Sequence, residues 1–332
     1  MENSRCRTDK PMGEPKKMIL GIDTSNYTTS AALCTVDGEI VTNVKRPLPV
    51  KHGERGLRQS EALFHHTVQL PQVLDAVHAA LEGGSLVAVG YSKTPRDAEN
   101  SYMPCFLAGQ AAAYAAACGA GVPLYAFSHQ GGHVMAALYG AKRMELIGQP
   151  FAAFHVSGGT TEILLVRPDA EKIIAVEKIG GTLDLHAGQV IDRVGVQMGL
   201  SFPAGPAMER AAAAFWDETK PCRPSVQGLY CNLSGLENQA VDLFSREQSI
   251  EKCAAFVLRS LLEVLQVLTR NLRAAYPHLP IVYAGGVMSC GYIRTVLSSY
   301  GSFAEPAFSA DNGAGAALLA RYKHEREVQI WT

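Results

Sequence analysis

The chain is 332 residues long, 47% hydrophobic and 18% charged, with Lys+Arg 30 against Asp+Glu 31 and a formal net charge of -1. Such a chain can bury a substantial core and suits two lobes better than one; it is neither fibrous nor collagen-like. The balanced charge excludes a protein whose nucleic-acid binding rests on a global positive field.

One local basic run, Lys45, Arg46, Lys51, His52, Arg55 and Arg58, reads either as a nucleic-acid contact or as a solvated loop. The cysteines Cys6, Cys34, Cys105, Cys118, Cys222, Cys231, Cys253 and Cys290 are scattered without CxxC pairs, which suits a reducing cytosol. Met1 to Lys17 has no apolar signal region, and no later run is long and unbroken enough to span a bilayer, so the expected location is cytoplasmic.

Along the chain, Met18 to Ile22 and Ser30 to Cys34 read as strands around a polar turn, Asp23-Thr24-Ser25-Asn26. A helix follows from about Ser60 to Leu81, interrupted at Pro71, then a strand Leu86 to Val89, an Ala-rich helix Cys105 to Ala117 and a strand Leu124 to Phe127. The hairpin pattern recurs at Phe151 to Val156 and Ile163 to Val166, around Ser157-Gly158-Gly159-Thr160-Thr161, which implies an internal duplication. Helices are expected near Gln189 to Met198, Met208 to Phe215 and Glu251 to Ala274, with a surface loop from Asp217 to Gln227, a strand Ile281 to Ala284 and a final helix from about Asn312. Alternating strands and helices argue for mainly parallel pairing. The resulting division is a flexible N-terminus 1–17, a first lobe 18–150, a second lobe 151–324 and a tail 325–332.

A turn built of small hydroxyl, amide and glycine residues offers backbone N–H groups to an anion. Taken singly it is usually only a turn; two, symmetrically placed, favour ligand binding. Gly285 and Gly286, where a strand end meets a helix start, add a nucleotide-binding signal. His129-Gln130-Gly131-Gly132-His133 sets two imidazoles at i and i+4, read as a shared metal site or as two surface histidines; Gln130 occupies the place of a peptidase glutamate. Asp311 is open between a third metal ligand and a helix N-cap. His155 and His186 read as a buried-strand position and a loop residue without catalytic roles.

From about Met18 to Leu319 these motifs, in this order, resemble the TsaD (Gcp) family of tRNA threonylcarbamoyladenosine transferases. The matches are Gly21-Ile22-Asp23-Thr24-Ser25, the HxxxH pair, Val156-Ser157-Gly158-Gly159, Asp192 through Gly199-Leu200 to Pro203-Ala204-Gly205-Pro206, Ser234-Gly235-Leu236, Ala284-Gly285-Gly286-Val287 and Asp311-Asn312-Gly313-Ala314. The resemblance implies an α/β, two-lobed actin-like and sugar-kinase-like (ASKHA) fold with duplicated RNase H-like lobes. It implies one divalent metal ion, Fe or Zn, on His129, His133 and Asp311, and threonylcarbamoyl-AMP on Val156, Ser157, Gly158, Gly159, Asp192 and Gly205. Gly285, Gly286 and Cys290 join the ligand set, and Asp23 is the catalytic candidate. The implied partners are tRNA and TsaB- and TsaE-like subunits.

Four departures from the family pattern point to a divergent paralogue. Asn26-Tyr27-Thr28-Thr29 replaces a segment with two acidic groups, and Lys93-Thr94-Pro95-Arg96-Asp97 replaces a Gly-Pro-Gly loop. Glu237 stands where a Lys usually follows Ser-Gly-Leu, and Cys290 where an Asn contacts the adenylate. The leading expectation is threonylcarbamoyl transfer to a tRNA adenosine. The alternatives are a non-catalytic nucleotide- and metal-binding paralogue that regulates or assembles with a family member, and a small-molecule kinase of the same fold.

Overall fold

The computed structural model describes residues 15–25, 27–49, 57–309 and 313–330. Asn26, Lys51, His52, Arg55, Asp311, Asn312 and residues 1–14 of the expected N-terminal segment lie outside the described residues. The chain forms two compact units, Met1–Gly132 with Asn312–Thr332, and His133–Asp311.

The first unit opens with β1 (Lys17–Asp23), β2 (Thr28–Thr35) and β3 (Ile40–Pro47), followed by α1 (Gln59–Ala80), β4 (Ser85–Thr94), α2 (Phe106–Ala120), β5 (Leu124–Ser128) and the start of α3 (His129–Gly140). The second holds β6 (Phe151–Val156), β7 (Thr161–Asp169), β8 (Ile173–Thr182), α4 (Ala187–Gln197), α5 (Gly205–Ala212), the short β9 (Val226–Gln227) and β10 (Tyr230–Cys231), α6 (Ser234–Glu247), α7 (Ile250–Ala275), β11 (Ile281–Ala284), α8 (Gly291–Leu297) and β12 (Ser302–Phe303). The chain then returns to the first unit as α9 (Ala314–Ile330).

The first sheet has the order β3-β2-β1-β4-β5, and the second contains the matching order β8-β7-β6-β11-β12, extended beyond β8 by β10 and β9. Pairing senses match as well. The first three strands of each unit pair antiparallel, and β4 with β1 and β5 pairs parallel as β11 does with β6 and β12. This is the duplicated RNase H-like pattern. Both sheets are mixed rather than mainly parallel, because the short polar turns after β1 and β6 are long enough only for antiparallel hairpins.

In the first unit Leu70, Val73 and Val77 of α1 and Ala113 and Ala117 of α2 pack on Met18, Leu20, Leu33 and Val89. A Cβ on Gly21 would lie 2.3 Å from the Ala317 nitrogen, so the missing side chain lets the backbone of α9 rest on the sheet. α1 runs through Pro71 without the expected break. Pro71 and Thr67 are both exposed, so the Thr67 carbonyl that loses its helical donor is left to water.

In the second unit the amphipathic α7 buries Leu258, Leu261, Leu265 and Leu268 in one cluster with Phe154, Val156, Tyr283 and residues of α4 and α5. Each such leucine stabilises the fold by about 1.5–3 kcal/mol over an exposed one.

The units do not follow the expected boundaries at 150 and 324. The later part of α3 belongs to the second unit, where Tyr139 meets Phe308 edge-on, with ring centroids 4.9 Å apart. Residues 325–330 are no tail but the end of α9, held by the Arg321–Glu325 pair and by Tyr125, whose hydroxyl donates to Glu327 Oε2 at 2.7 Å. Among the described residues no helix is long and apolar enough to cross a membrane.

Candidate functional site

In the second unit the Ser157–Thr160 turn is closed by the Ser157 amide donating to the Thr160 carbonyl at 2.7 Å, and is seated on the start of α4. The Gly188 amide donates to the Ser157 carbonyl at 3.1 Å, and the Ala187 amide to Thr161 Oγ1 at 2.9 Å. A Cβ on Gly188 would come within 2.6 Å of Gly158, so only glycine lets this helix approach the turn so closely. Gly158 and Gly159 are exposed while Val156 is buried. Exposed small residues against a helix N-terminus form an anion-binding arrangement.

Three further expected residues join this turn. Gly285 has φ +105, and a Cβ there would lie 2.2 Å from the Val156 carbonyl oxygen, so the loop after β11 rests directly on the end of β6. Gly286 and Gly205 have open space where side chains would be. Asp192 on α4 accepts a hydrogen bond from the Ala204 amide at 2.8 Å through Oδ1, which fixes the loop leading into Gly205. Its Oδ2 lies 4.0 Å from the Cβ position of Gly158. Burial pushes the Asp192 carboxyl upward, against the pull of the Ala204 amide. Asp192 is therefore half-buried and partnered, not the exposed residue its sequence neighbours suggest.

The first unit departs from the expected symmetry. Thr24 and Ser25 are 0% exposed and their groups are used internally: Thr24 Oγ1 donates to the Cys105 carbonyl at 3.0 Å and accepts from the Gly109 amide at 2.9 Å. Asp23, 2% exposed, accepts from the Ser25 amide at 2.8 Å, from the Ser25 and Ser92 hydroxyls, and lies 2.8 Å from His129 Nδ1. Burial disfavours the charged carboxylate, yet the His129 ring and these hydrogen bonds hold its pKa well below the usual range. The first turn thus orients a histidine, whereas the second leaves Gly158 and Gly159 exposed.

His129 and His133 stand at i and i+4 of α3. A carboxylate on the remaining ring nitrogen is what metal-ligating histidines commonly have, so Asp23 behind His129 makes the donor set fit a divalent ion. No three His, Cys, Asp or Glu side chains among the described residues form a metal cluster, and the third expected ligand, Asp311, lies outside them. Cys290 is 8% exposed within the helical core of the second unit, and burial raises its thiol pKa.

Comparison with known proteins decides the family. The family profile for tRNA N6-adenosine threonylcarbamoyltransferase (TsaD) matches residues 50–318, most of the chain. The chain belongs to the TsaD family. It is 26% identical over 324 residues to a Methanopyrus kandleri protein named tRNA N6-adenosine threonylcarbamoyltransferase, covering 94% of this chain and 89% of that one. With a Streptococcus uberis protein of the same name it is 29% identical over 326 residues, covering 93% of each. Its fold is similar to full-length HypF in a phosphate- and nucleotide-bound form, with a TM-score of 0.58 at 12% identity over 94% of this chain and 47% of HypF. It is also similar to component A of the Acidaminococcus fermentans (R)-2-hydroxyglutaryl-CoA dehydratase, with a TM-score of 0.53 at 14% identity, covering 93% and 99%.

The departures from the TsaD pattern have local explanations. Glu237 is not left facing an open site: its Oε2 lies 3.4 Å from Arg193 of α4. The loop replacing Gly-Pro-Gly docks on the start of α3, where the Gln130 amide donates to the Pro95 carbonyl at 3.0 Å and the Ser128 hydroxyl to Asp97 at 3.1 Å. Asp184 was missed by sequence reasoning. Its carboxylate accepts from the Leu233 and Ser234 amides at 2.7 and 3.1 Å and from the Ser234 hydroxyl at 2.6 Å, capping α6, which begins with the Ser-Gly-Leu motif. An Asp two residues beyond a strand was its only sequence signal.

Proposed function

We propose that the chain transfers the threonylcarbamoyl group from threonylcarbamoyl-AMP to N6 of an adenosine in tRNA. The observation that carries this reading is the seat of the Ser157–Thr160 turn on α4, with Gly285 resting on Val156 and Asp192 beside Gly158. In this reading the turn of Ser157, Gly158 and Gly159 receives the adenylate phosphate on the Gly158 amide and the Ser157 hydroxyl, the Ser157 amide being spent on the Thr160 carbonyl. Gly205, Gly285 and Gly286 leave room for the ligand, and Asp192 meets its hydroxyl or ammonium-like groups. N6 attacks the carbamoyl carbon, the bond from that carbon to the phosphate oxygen breaks, AMP leaves and the N6 proton is released. The N-terminus of α4 favours the charge that grows on the departing phosphate.

His129, His133 and Asp311 would hold a divalent metal, Fe or Zn, whose chemistry when bound is Lewis-acid polarisation of the carbamoyl carbonyl. Asp23 is then a positioning residue behind His129 rather than the catalytic group expected from sequence, since a carboxylate 2% exposed and filled with internal donors does not reach a substrate. Cys290 likewise acts through packing. tRNA and TsaB- and TsaE-like subunits are the partners of this reading.

The regulatory-paralogue alternative drew on Glu237, Cys290 and the altered opening hairpin; of these, Glu237 is paired with Arg193, which offsets the repulsion expected of it. The test supplies labelled threonine, bicarbonate, ATP, tRNA and an adenylate-forming enzyme to wild type and His133→Ala. Label entering tRNA only with wild type supports the transferase. Adenylate binding without label would overturn it in favour of the regulatory module.

A further inference from the structure

β6 and β7 pair antiparallel with His155 directly opposite Glu162. Phe154, Val156 and Ile163 enter the helical core, so by strand alternation His155 and Glu162 share the other face of the sheet, with Cβ atoms about 4.5–5.5 Å apart. On that face the ring of His133 lies 4.6 Å from the ring of His155, tilted by 47°. Glu162 is 4% exposed, and Lys178 of β8 reaches its Oε1 at 3.3 Å. All four residues belong to the second unit.

A buried carboxylate is costly even when paired, and an apolar residue at position 162 would continue the run Ile163 to Val166 without that cost. A charge kept there has a neighbour to serve. We infer that His155 is a positioning residue for His133, its own ring set by Glu162, so that the second α3 histidine has an acid behind it as His129 has Asp23. The inference rests on the metal reading above. It makes His155 a support for the His133 ring, 4.6 Å from its own. Polar groups that orient a ligating histidine typically change metal affinity by about 10–100-fold when removed.

The experiment titrates Zn²⁺ into the metal-free full chain against a competing chelator, with thermal melting in parallel. Wild type should bind one equivalent tightly and His133→Ala should not. His155→Leu should bind about 10–100-fold more weakly while remaining folded, and His155→Gln, which keeps a polar group beside His133, should recover part of the loss. Glu162→Gln should weaken binding in the same direction and serves if His155→Leu fails to fold. Wild-type affinity in folded His155→Leu, or in Glu162→Gln where that one does not fold, would overturn the inference and leave the metal reading standing. A wild type without a tight site, or a His133→Ala that keeps one, would overturn both.

Discussion

Oδ2 of Asp23 lies 2.8 Å from Nδ1 of His129, joining two residues 106 apart in the chain, and the same carboxylate takes hydrogen bonds from Ser25 and Ser92. Asp23→Asn keeps the shape but replaces an acceptor oxygen with an NH₂ facing one of these donors. Leaving a buried donor unsatisfied costs about 1–3 kcal/mol, and losing the carboxylate behind a ligating histidine weakens metal binding by about 10–100-fold. Calorimetry should therefore show a lower melting temperature, and chelator competition a weaker site. A variant with wild-type metal affinity would remove the orienting role.

The two neighbouring glycines after β11 separate fold from ligand. Gly285→Ala would force an L side chain into φ +105 and drive its Cβ to 2.2 Å from the Val156 carbonyl, so the end of β6 must move. The backbone strain alone is worth roughly 1–3 kcal/mol, and the expected result is a destabilised chain that binds adenylate poorly. Gly286→Ala meets open space and should melt like wild type. Comparing AMP affinity between the folded variants tells whether this loop touches the nucleotide; unchanged affinity in Gly286→Ala would take Gly286 out of the ligand set.

What could be read in the sequence followed the apolar runs. The strand Ile281–Ala284, buried at every position, and the hairpin of β6 and β7 are contiguous apolar signals. The strand β3, with Asn43, Lys45 and Arg46 on a half-exposed edge, β8, with Glu177 and Lys178, and α6, which buries only Leu236 and Ala240, carry no comparable period. Small-residue turns marked where a ligand could sit, but the partners of Asp23, Asp192, Glu237 and His155 lie on other elements. Which turn is open was therefore legible only in three dimensions: Thr24 and Gly158 look alike as turn residues, and only packing against α2 closes the first.

Arg193 and Glu237 make a pair at the surface, with side chains 53% and 20% exposed. Exposed pairs contribute about 0.2–1 kcal/mol, so Arg193→Ala, Glu237→Ala and the double variant should have similar stability. The charge should be felt in the ligand instead. With Glu237→Ala, Arg193 is released from its partner and AMP binding should tighten, an effect that high salt suppresses. Weaker AMP binding in Glu237→Ala would show that the glutamate contributes to the site directly.

Asp184 connects the end of β8 to the start of α6, and its pKa is lowered to about 2: partial burial opposes the shift, but the Ser234 hydroxyl and the Leu233, Leu185 and Ser234 amides outweigh it. A carboxyl depressed in the folded state adds stability above its unfolded pKa, near 4, and loses it as pH falls toward 2. Removing such a cap with Asp184→Ala should cost about 0.5–2 kcal/mol at neutral pH. The gap between wild type and variant in urea midpoint should be full above about pH 4 and close as pH approaches the folded pKa. A gap that stays constant from pH 5 to pH 2 would mean that Asp184 holds α6 by shape and not by charge.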